Sequence, residues 1–541
     1  MHRRLKEIIG RENAAQEKRL WLKIADACNN RCLFCLDADQ RANRFFPIKQ
    51  LQDEIERGRA EGCQRLILSG GEPTLHPDFL ELVTFGNSCG YRWIQVITNG
   101  RRFAYAAFAR EASLRGLNEA TLSIHGHCPE LHDRLVEVPG AFSQALAGLK
   151  NLLQIGLVVS VDIVISAFNL EHLPQILDFF ISLGVREFDL LWLVPFGNAW
   201  KNRKILFPDE SLAASLLQQA LELARSRKAV VWTNRLPARL LEGFEELVQD
   251  PYKLHDEARG RKELFINWYQ KGRPPACREP ERCRLCPLEG FCLALEEVCR
   301  QQLQGRFSCL RLSAAERRPE ALEMARLAKA LQLVVADEEE AELSTKWLDT
   351  SRPIALEPLT IGAAHRLSKS QAKNHRLVAG SAEILEELCC YPHLEIVLNA
   401  DTAGWLSKKR SSLQQATFSL QGFGSLSHTV SLGANPVQAL QNLKGKFRLR
   451  QLPLCWKKGA RPDNFSPPLE IEALLGLAKG EVAPLVDWFI RRRAHTFSLR
   501  CNACRLRPDC PGLPLNYLRA FGFQALCHPR GIAQKHELVR E

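Results

Sequence analysis

The sequence predicts an α/β protein whose core is an open, partial (β/α)6 barrel. Three observations carry that expectation. Six apolar runs of strand length alternate with amphipathic helical stretches between residues 18 and 235. Gly, Pro and Asn punctuate the junctions. The motifs that look chemical follow the ends of the apolar runs, where parallel α/β folds keep their sites.

The strands fall at 20–24, 65–68, 93–98, 120–124, 158–165 and 188–194, and the helices at about 48–62, 77–90, 103–115, 139–156 and 169–184. Successive strand–helix units imply a parallel sheet with right-handed crossovers. Six units are fewer than the eight of a closed TIM barrel, so a TIM-like barrel here stays open. CNNRCLFC, with Cys28, Cys32 and Cys35, follows the first strand. Ser69, Gly70, Gly71, Glu72 and Pro73 follow the second. Thr98, Asn99 and Gly100 end the third, and Ser123, Ile124, His125, Gly126 and His127 end the fourth.

Composition narrows the class. The chain has 541 residues, 46% hydrophobic and 25% charged, which suits several folded domains and excludes a disordered tail or a collagen-like chain. Lys and Arg number 73 against 61 Asp and Glu, so the net charge of +12 permits an anionic partner without naming one. The first twenty residues are too charged for a secretory leader, and no apolar run reaches the roughly 18–20 residues of a membrane span. A cytoplasmic protein is expected. There, 19 cysteines argue for metal ligation, and an odd count rules out a complete disulfide framework within one chain.

Besides the first cluster, Cys277, Cys283, Cys286 and Cys292 form a second, and Cys501, Cys504 and Cys510 a third. The last two share the spacing C-x2-C-x5-C. Cys455 lies upstream and could complete the third. Cys63, Cys89, Cys128, Cys299, Cys309, Cys389, Cys390 and Cys527 are scattered; most are expected to be small buried residues, with Cys299 near enough to be a spare ligand. Arg491, Arg492, Arg493, Arg500, Arg505 and Arg507 are expected around the third cluster, where cations favour an anionic thiolate site. The expected domains are 18–235 as the barrel core, 236–310 and 416–541 as cysteine-rich auxiliary regions, and 311–415 as a small α/β insert between them.

Three thiolates in a tight loop supply one ligand fewer than a four-iron cluster normally takes. The open iron can chelate a small molecule through an amine and a carboxylate. Two adjacent glycines would let the backbone approach such a ligand, and Glu72 could accept from its ammonium. CNNRCLFC together with SGGEP resembles the radical S-adenosylmethionine (SAM) superfamily over residues 18 to about 235. The resemblance implies that Cys28, Cys32 and Cys35 hold a catalytic [4Fe-4S] cluster, with Phe34 before the last Cys. It implies that Gly70, Gly71 and Glu72 hold the methionyl amine of SAM and that Thr98 and Ser123 contact its ribose. The implied activity is reductive cleavage of SAM to a 5′-deoxyadenosyl radical, which takes hydrogen from a peptide or small-molecule substrate. The downstream cysteines resemble SPASM and twitch modules, which implies two auxiliary clusters: one on Cys277, Cys283, Cys286 and Cys292, another on Cys455, Cys501, Cys504 and Cys510. An electron donor such as flavodoxin or ferredoxin is implied; neither a membrane nor a nucleic acid is expected. The alternatives are an iron–sulfur electron-transfer or scaffold protein without SAM chemistry, and a zinc-stabilised nucleic-acid binder.

Several polar residues read two ways. His125 falls on the side of Ser123 and reads equally as a group at the barrel mouth or as part of a hydrogen-bonded turn. His132 and Asp133 read as capping residues, His76 and Asp78 as a helix start, and Asn169 as a cap. Residues 311–415 show one amphipathic helix and one strand and turn, with no legible chemistry.

Overall fold

The computed structural model describes Gly10 and residues 18–526, except 41–42, 349–351, 370–374, 409–412, 414–415, 421, 423, 432–439, 441–442, 444–446, 458–459 and 464–466. Cys527 lies outside the described residues. The chain divides into two units: Met1–Gln249 with Arg284–Pro287, and Asp250–Cys283 with Leu288–Glu541.

The first unit is an open parallel sheet in strand order 1 to 7: β1 (Arg19–Ala25), β2 (Arg65–Gly70), β3 (Trp93–Thr98), β4 (Glu119–Ser123), β5 (Val158–Ile165), β6 (Glu187–Trp192) and β7 (Val230–Asn234). The partial barrel expected from the sequence is present, with one strand more. The extra strand, VVWTN, follows a helix at Glu210–Ser226 whose start is capped by Asp209, accepting from the Ser211 N–H at 2.8 Å. One face of the sheet is apolar: Leu22, Leu68, Val96, Leu122, Val161 and Leu190 are buried under the helices. Each such side chain contributes roughly 1.5–3 kcal/mol when withdrawn from water. The other face is polar. Thr121 and Ser160 pair across β4 and β5, and Ser123, Asp162 and Asp189 stand side by side across β4, β5 and β6.

The second unit contains a larger parallel sheet than the expected insert. β8 (Leu310–Ser313), β9 (Leu331–Val335), β10 (Ile354–Pro358), β11 (Arg376–Ala379), β12 (Leu394–Leu398), β13 (Thr417–Leu420), β14 (Arg448–Arg450) and β15 (Arg461–Pro462) lie in chain order, and β16 (Leu469–Glu470) pairs with β8 at the other edge. This sheet runs past residue 415, where the sequence suggested a boundary. Its strands are short and carry polar residues in alternation. Leu310, Leu333, Leu356, Leu377, Ile396 and Phe418 make the buried apolar face. A separate two-stranded antiparallel ribbon, β17 (His495–Thr496) and β18 (Leu513–Pro514), brackets the third cysteine run.

The polar face of the larger sheet is held by ion pairs. Arg450 meets Glu395 at 2.7 Å, with both side chains at most 4% exposed, and Arg376 meets both Glu395 and Asp463. Burial raises the Glu395 carboxyl, but Arg450 and Arg376 outweigh it, so the group sits below the usual carboxylate range. Its contribution to stability is therefore full above a pH of about 4.3 and is lost as pH falls through the lowered value. Arg450→Met should cost about 3–5 kcal/mol, because it leaves Glu395 short of a buried partner. Thermal unfolding of the two proteins at neutral pH and at acid pH checks this: the gap should be wide at neutrality and narrow once Glu395 is protonated.

Candidate functional site

The carboxyl end of β1 turns into a loop whose shape is set by its neighbours. The Arg31 and Leu33 N–H groups donate to the Val136 and Leu135 carbonyls at 3.0 and 2.9 Å. Asn198 donates its backbone N–H to the Cys35 carbonyl (2.9 Å) and its side-chain amide to the Cys32 carbonyl (3.0 Å), and the Asn202 amide reaches the Leu33 carbonyl at 2.9 Å. From the loop after β3, the Arg101 guanidinium donates to the Asn29 carbonyl at 2.6 Å and to Asn30 Oδ1 at 2.8 Å. All these clamps grip backbone or Asn atoms of the loop. Cys28 Sγ accepts the Asn30 N–H at 3.4 Å, and Cys28, Cys32 and Cys35 are all part-exposed. The donor set therefore suits a cluster held by three thiolates.

The two glycines serve a close approach, but to the chain itself. A Cβ on Gly70, whose φ is +142°, would stand 2.2 Å from the Ala25 carbonyl oxygen, and one on Gly71 would stand 2.4 Å from that of Ala27. Gly71 and Glu72 donate their N–H groups to the Ala25 and Ala27 carbonyls, both at 2.8 Å. Only glycine fits there. Packing against the segment that delivers Cys28 requires glycine at both positions.

Glu72 is enclosed by hydrogen-bond donors of the chain itself. It is 1% exposed. Its carboxylate accepts from the Thr74 N–H (3.1 Å), the Thr74 hydroxyl (2.6 Å), the Thr98 hydroxyl (2.7 Å) and the Asn99 N–H (2.7 Å). Burial raises this carboxyl above the usual range, against the pull of those donors. Thr98 is equally engaged, accepting the Gly100 N–H at 3.0 Å as well. Glu72 and Thr98 thus tie the ends of β2 and β3 to each other.

His125 is 2% exposed. Its Nδ1 accepts the Val164 N–H at 3.2 Å, which places the proton of the neutral ring on Nε2. Burial, then the nearby His132, holds it well below the usual histidine range, so it is neutral near pH 7. The Phe34 ring meets it edge-on at 4.7 Å, which joins the cysteine loop to the end of β4. His132 is buried too, pulled down to about 4, and its Nδ1 accepts the His125 N–H. Asp133 caps the helix at Ala141–Gln154 through the Gly140 and Phe142 N–H groups, both at 2.7 Å. Asn169 braces Val164 and His125 through their carbonyls and makes no side-chain cap bond. His76 bonds the Phe46 carbonyl at 2.9 Å, just ahead of the helix at Phe79–Ser88.

Sequence reasoning missed two features of this end. One is the clamp of Asn198, Asn202 and Arg101. The other is the pair Asp162 and Asp189, neighbours in register on the polar face beside Ser123. Burial, then Asp189, pushes the Asp162 carboxyl well above the usual range, so it carries a proton near neutrality. The visible signal was Asp162 itself, a charge inside an otherwise apolar run.

In the second unit, Cys455, Cys501, Cys504 and Cys510 line one cleft of about 340 Å³ open to solvent, with Phe497 and Arg507. Burial raises the Cys501 thiol, and Cys504 and Cys510 beside it act the same way, partly offset by a Ser498 hydrogen bond. Of the six arginines expected here, only Arg507 lines the cleft: Arg500 turns to Ser498 and Phe523, and Arg491 to Glu470. Cys277, Cys283 and Cys292 belong to the second unit and Cys286 to the first. Arg278 donates to Cys283 Sγ at 2.9 Å. Cys299 and Cys309 are buried thiols pushed up to about 12 by burial, which sets Cys299 apart from a ready ligand. Cys63 is buried as well, whereas Cys89, Cys128 and Cys389 are part-exposed and Cys390 is exposed, against expectation. Among the described residues, no three His, Cys, Asp or Glu side chains stand close enough to grip a single metal ion; the four thiols rim a space and do not converge on a point. No helix among them is long and apolar enough to cross a membrane.

The brace makes a discriminating variant available. Glu72→Gln puts an amide N–H where Asn99 or Thr98 now donates, and should cost about 1–3 kcal/mol of stability. Chemical unfolding should show that loss whether or not SAM is added. A variant of parental stability that differs only in its affinity for SAM would contradict the brace.

Residues 22–180 match the Radical SAM superfamily profile. The probable GTP 3′,8-cyclase of Saccharolobus solfataricus is 29% identical over 180 residues, which are 33% of this chain and 58% of that protein. The AdoMet-dependent heme synthase of Methanosarcina barkeri is 28% identical over 181 residues, 32% of this chain and 50% of that protein. The chain thus spans less than two thirds of each. Among solved structures, Streptococcus suis SuiB bound to precursor peptide SuiA has a TM-score of 0.36 and 17% identity, covering 45% of this chain and 55% of that one. Native anSMEcpe with bound AdoMet and Kp18Cys peptide has a TM-score of 0.34 and 14% identity, covering 48% and 68%. The cysteine loop, the glycine pair and His125 all lie within the residues that match the Radical SAM superfamily profile.

Proposed function

We propose that the chain is a radical SAM enzyme in which Cys28, Cys32 and Cys35 hold a catalytic four-iron cluster. The observation that carries this reading is the cysteine loop: three part-exposed thiols at the carboxyl end of β1, on a backbone clamped from three sides. The cluster and SAM, when bound, supply the 5′-deoxyadenosyl radical that removes hydrogen from the substrate. The protein's part is to hold the loop rigid through Asn198, Asn202 and Arg101, to lock the ends of β1, β2 and β3 with the glycine pair and Glu72, and to keep the Phe34–His125 contact dry. The backbone of Gly70 and Gly71 flanks the methionyl group, and Ser123, on the polar face, flanks the ribose. His125 acts as a neutral packing group and moves no proton near pH 7. Asp162 and Asp189 hold one proton between them beside Ser123, where a substrate enters the open barrel.

Cys455, Cys501, Cys504 and Cys510 hold an auxiliary cluster in their cleft, and Cys277, Cys283, Cys286 and Cys292 hold another. The substrate is a peptide or a cofactor precursor, the electron comes from a flavodoxin or ferredoxin, and the enzyme works in the cytoplasm.

The test is anaerobic. Protein reconstituted with iron and sulfide should carry about twelve irons per chain and, with dithionite and SAM, release 5′-deoxyadenosine. Cys32→Ala should abolish the nucleoside product. Cys455→Ala together with Cys501→Ala should remove about four irons and leave SAM cleavage detectable. A fully loaded protein that yields no 5′-deoxyadenosine, with candidate peptides present, would contradict the reading.

A further inference from the structure

Two cysteines of the second unit belong to none of the three cysteine runs. Cys389 and Cys390 follow the helix at Ala382–Leu388, in the turn that leads to β12. That helix buries Ile384, Leu385 and Leu388, and Cys389 closes it with a φ of −59°. Side chains of adjacent helical residues point about 100° apart, so two neighbouring thiols inside a helix diverge. Here the chain leaves the helix at Cys389, and the two sulfurs come within 3.9 Å of each other. Both reach solvent: Cys389 is part-exposed and Cys390 exposed.

The turn is held at both ends. The Tyr391 N–H donates to the Leu388 carbonyl at 2.9 Å, and the Leu377 N–H of β11 to the His393 carbonyl at 3.1 Å. Leu388 and Leu394, on either side, are buried. The backbone that carries the two thiols is thus fixed before any ligand arrives. Distances decide what the pair can do. A disulfide brings its sulfurs to about 2.04 Å and asks for Cα atoms at least about 4.4 Å apart, whereas a trans peptide bond sets adjacent Cα atoms about 3.8 Å apart. Two thiolates at about 2.3 Å from one tetrahedral centre stand roughly 3.8 Å apart. The observed separation matches the second arrangement. Among the described residues no third His, Cys, Asp or Glu side chain joins the pair to grip an ion. Structural zinc takes four ligands; a trivalent arsenical that already carries one organic group takes two.

We infer that Cys389 and Cys390 form a chelating site for a thiophilic trivalent centre, of which a monosubstituted arsenical is the simplest. Binding breaks the two S–H bonds and forms two As–S bonds. The oxygen on arsenic leaves as water with both protons, and arsenic stays trivalent, so neither oxidant nor reductant is consumed. The site lies within the second unit and does not rest on SAM chemistry.

Phenylarsine oxide is the probe, on the full chain, reduced, freed of reductant and without SAM. Tryptic digestion isolates residues 377–408, which contain Cys389 and Cys390 and no other cysteine. Mass spectrometry should find this peptide bridged by one phenylarsenic group, with both thiols protected from N-ethylmaleimide. A dithiol such as dimercaptopropanol should release the adduct, and glutathione should not. Cys389→Ser and Cys390→Ser should each weaken binding at this peptide by roughly tenfold or more and open the adduct to glutathione. Cys390→Ser, at an exposed position, should do so with thermal unfolding unaltered. Diamide should leave the pair as thiols under conditions in which the arsenical binds. An adduct that survives glutathione in either single variant would show that one sulfur suffices, and would overturn the inference. So would a peptide left unbridged by phenylarsine oxide while N-ethylmaleimide labels both thiols, a disulfide formed by diamide as readily as the arsenical binds, or zinc held by the pair more tightly than the arsenical.

Discussion

The carbonyl oxygens of Ala25 and Ala27 set the geometry on which the first unit depends. They accept the N–H groups of Gly71 and Glu72, and they stand where any side chain at Gly70 or Gly71 would be. The end of β1 is thereby fixed against the end of β2, one residue before Cys28. Glu72 extends the lock to β3 through Thr98 and Asn99. A loop meant to present three thiolates needs this, because short loops with polar backbone groups are otherwise the most mobile parts of a fold. The brace acts on the backbone, and so fixes the position of the loop.

The two parallel sheets share one division of labour. Each has one apolar face and one polar face. In the first unit that face carries Thr121, Ser123, Ser160, Asp162 and Asp189. In the second it carries paired arginines and carboxylates, the deeper of which are almost wholly enclosed. Buried ion pairs return little net stability against an apolar alternative.

Much of the first unit was legible because its strands are long and its helices amphipathic. Six strands were placed within a few residues; VVWTN escaped because it is short and half polar. The cysteine loop, the glycine pair and Ser123 stood out as motifs at strand ends, yet their physical partners did not. The glycines read as room for a ligand; that they also make room for Ala25 and Ala27 is a long-range contact that one chain segment cannot reveal. Glu72 read as an acceptor for a ligand's ammonium; its burial under four donors of the chain was not visible in the sequence. The second sheet was nearly invisible: LRLS, IALEP, RLVA and TFSL are four or five residues long, and one or two polar residues in each shorten or break the apolar run that marks a strand. Arg492 had been grouped with the third cysteine run by proximity in sequence, whereas the fold points it at the sheet.

What the whole account requires is an iron that the protein leaves one thiolate short. Electron paramagnetic resonance of the reduced, reconstituted protein addresses that directly, in a variant whose downstream cysteines are replaced so that only the first cluster contributes. Addition of SAM should reshape the spectrum, as a new ligand enters the coordination sphere. A cluster signal that is fully formed and indifferent to SAM would mean that the iron already has its fourth ligand from the chain, and the account would fail.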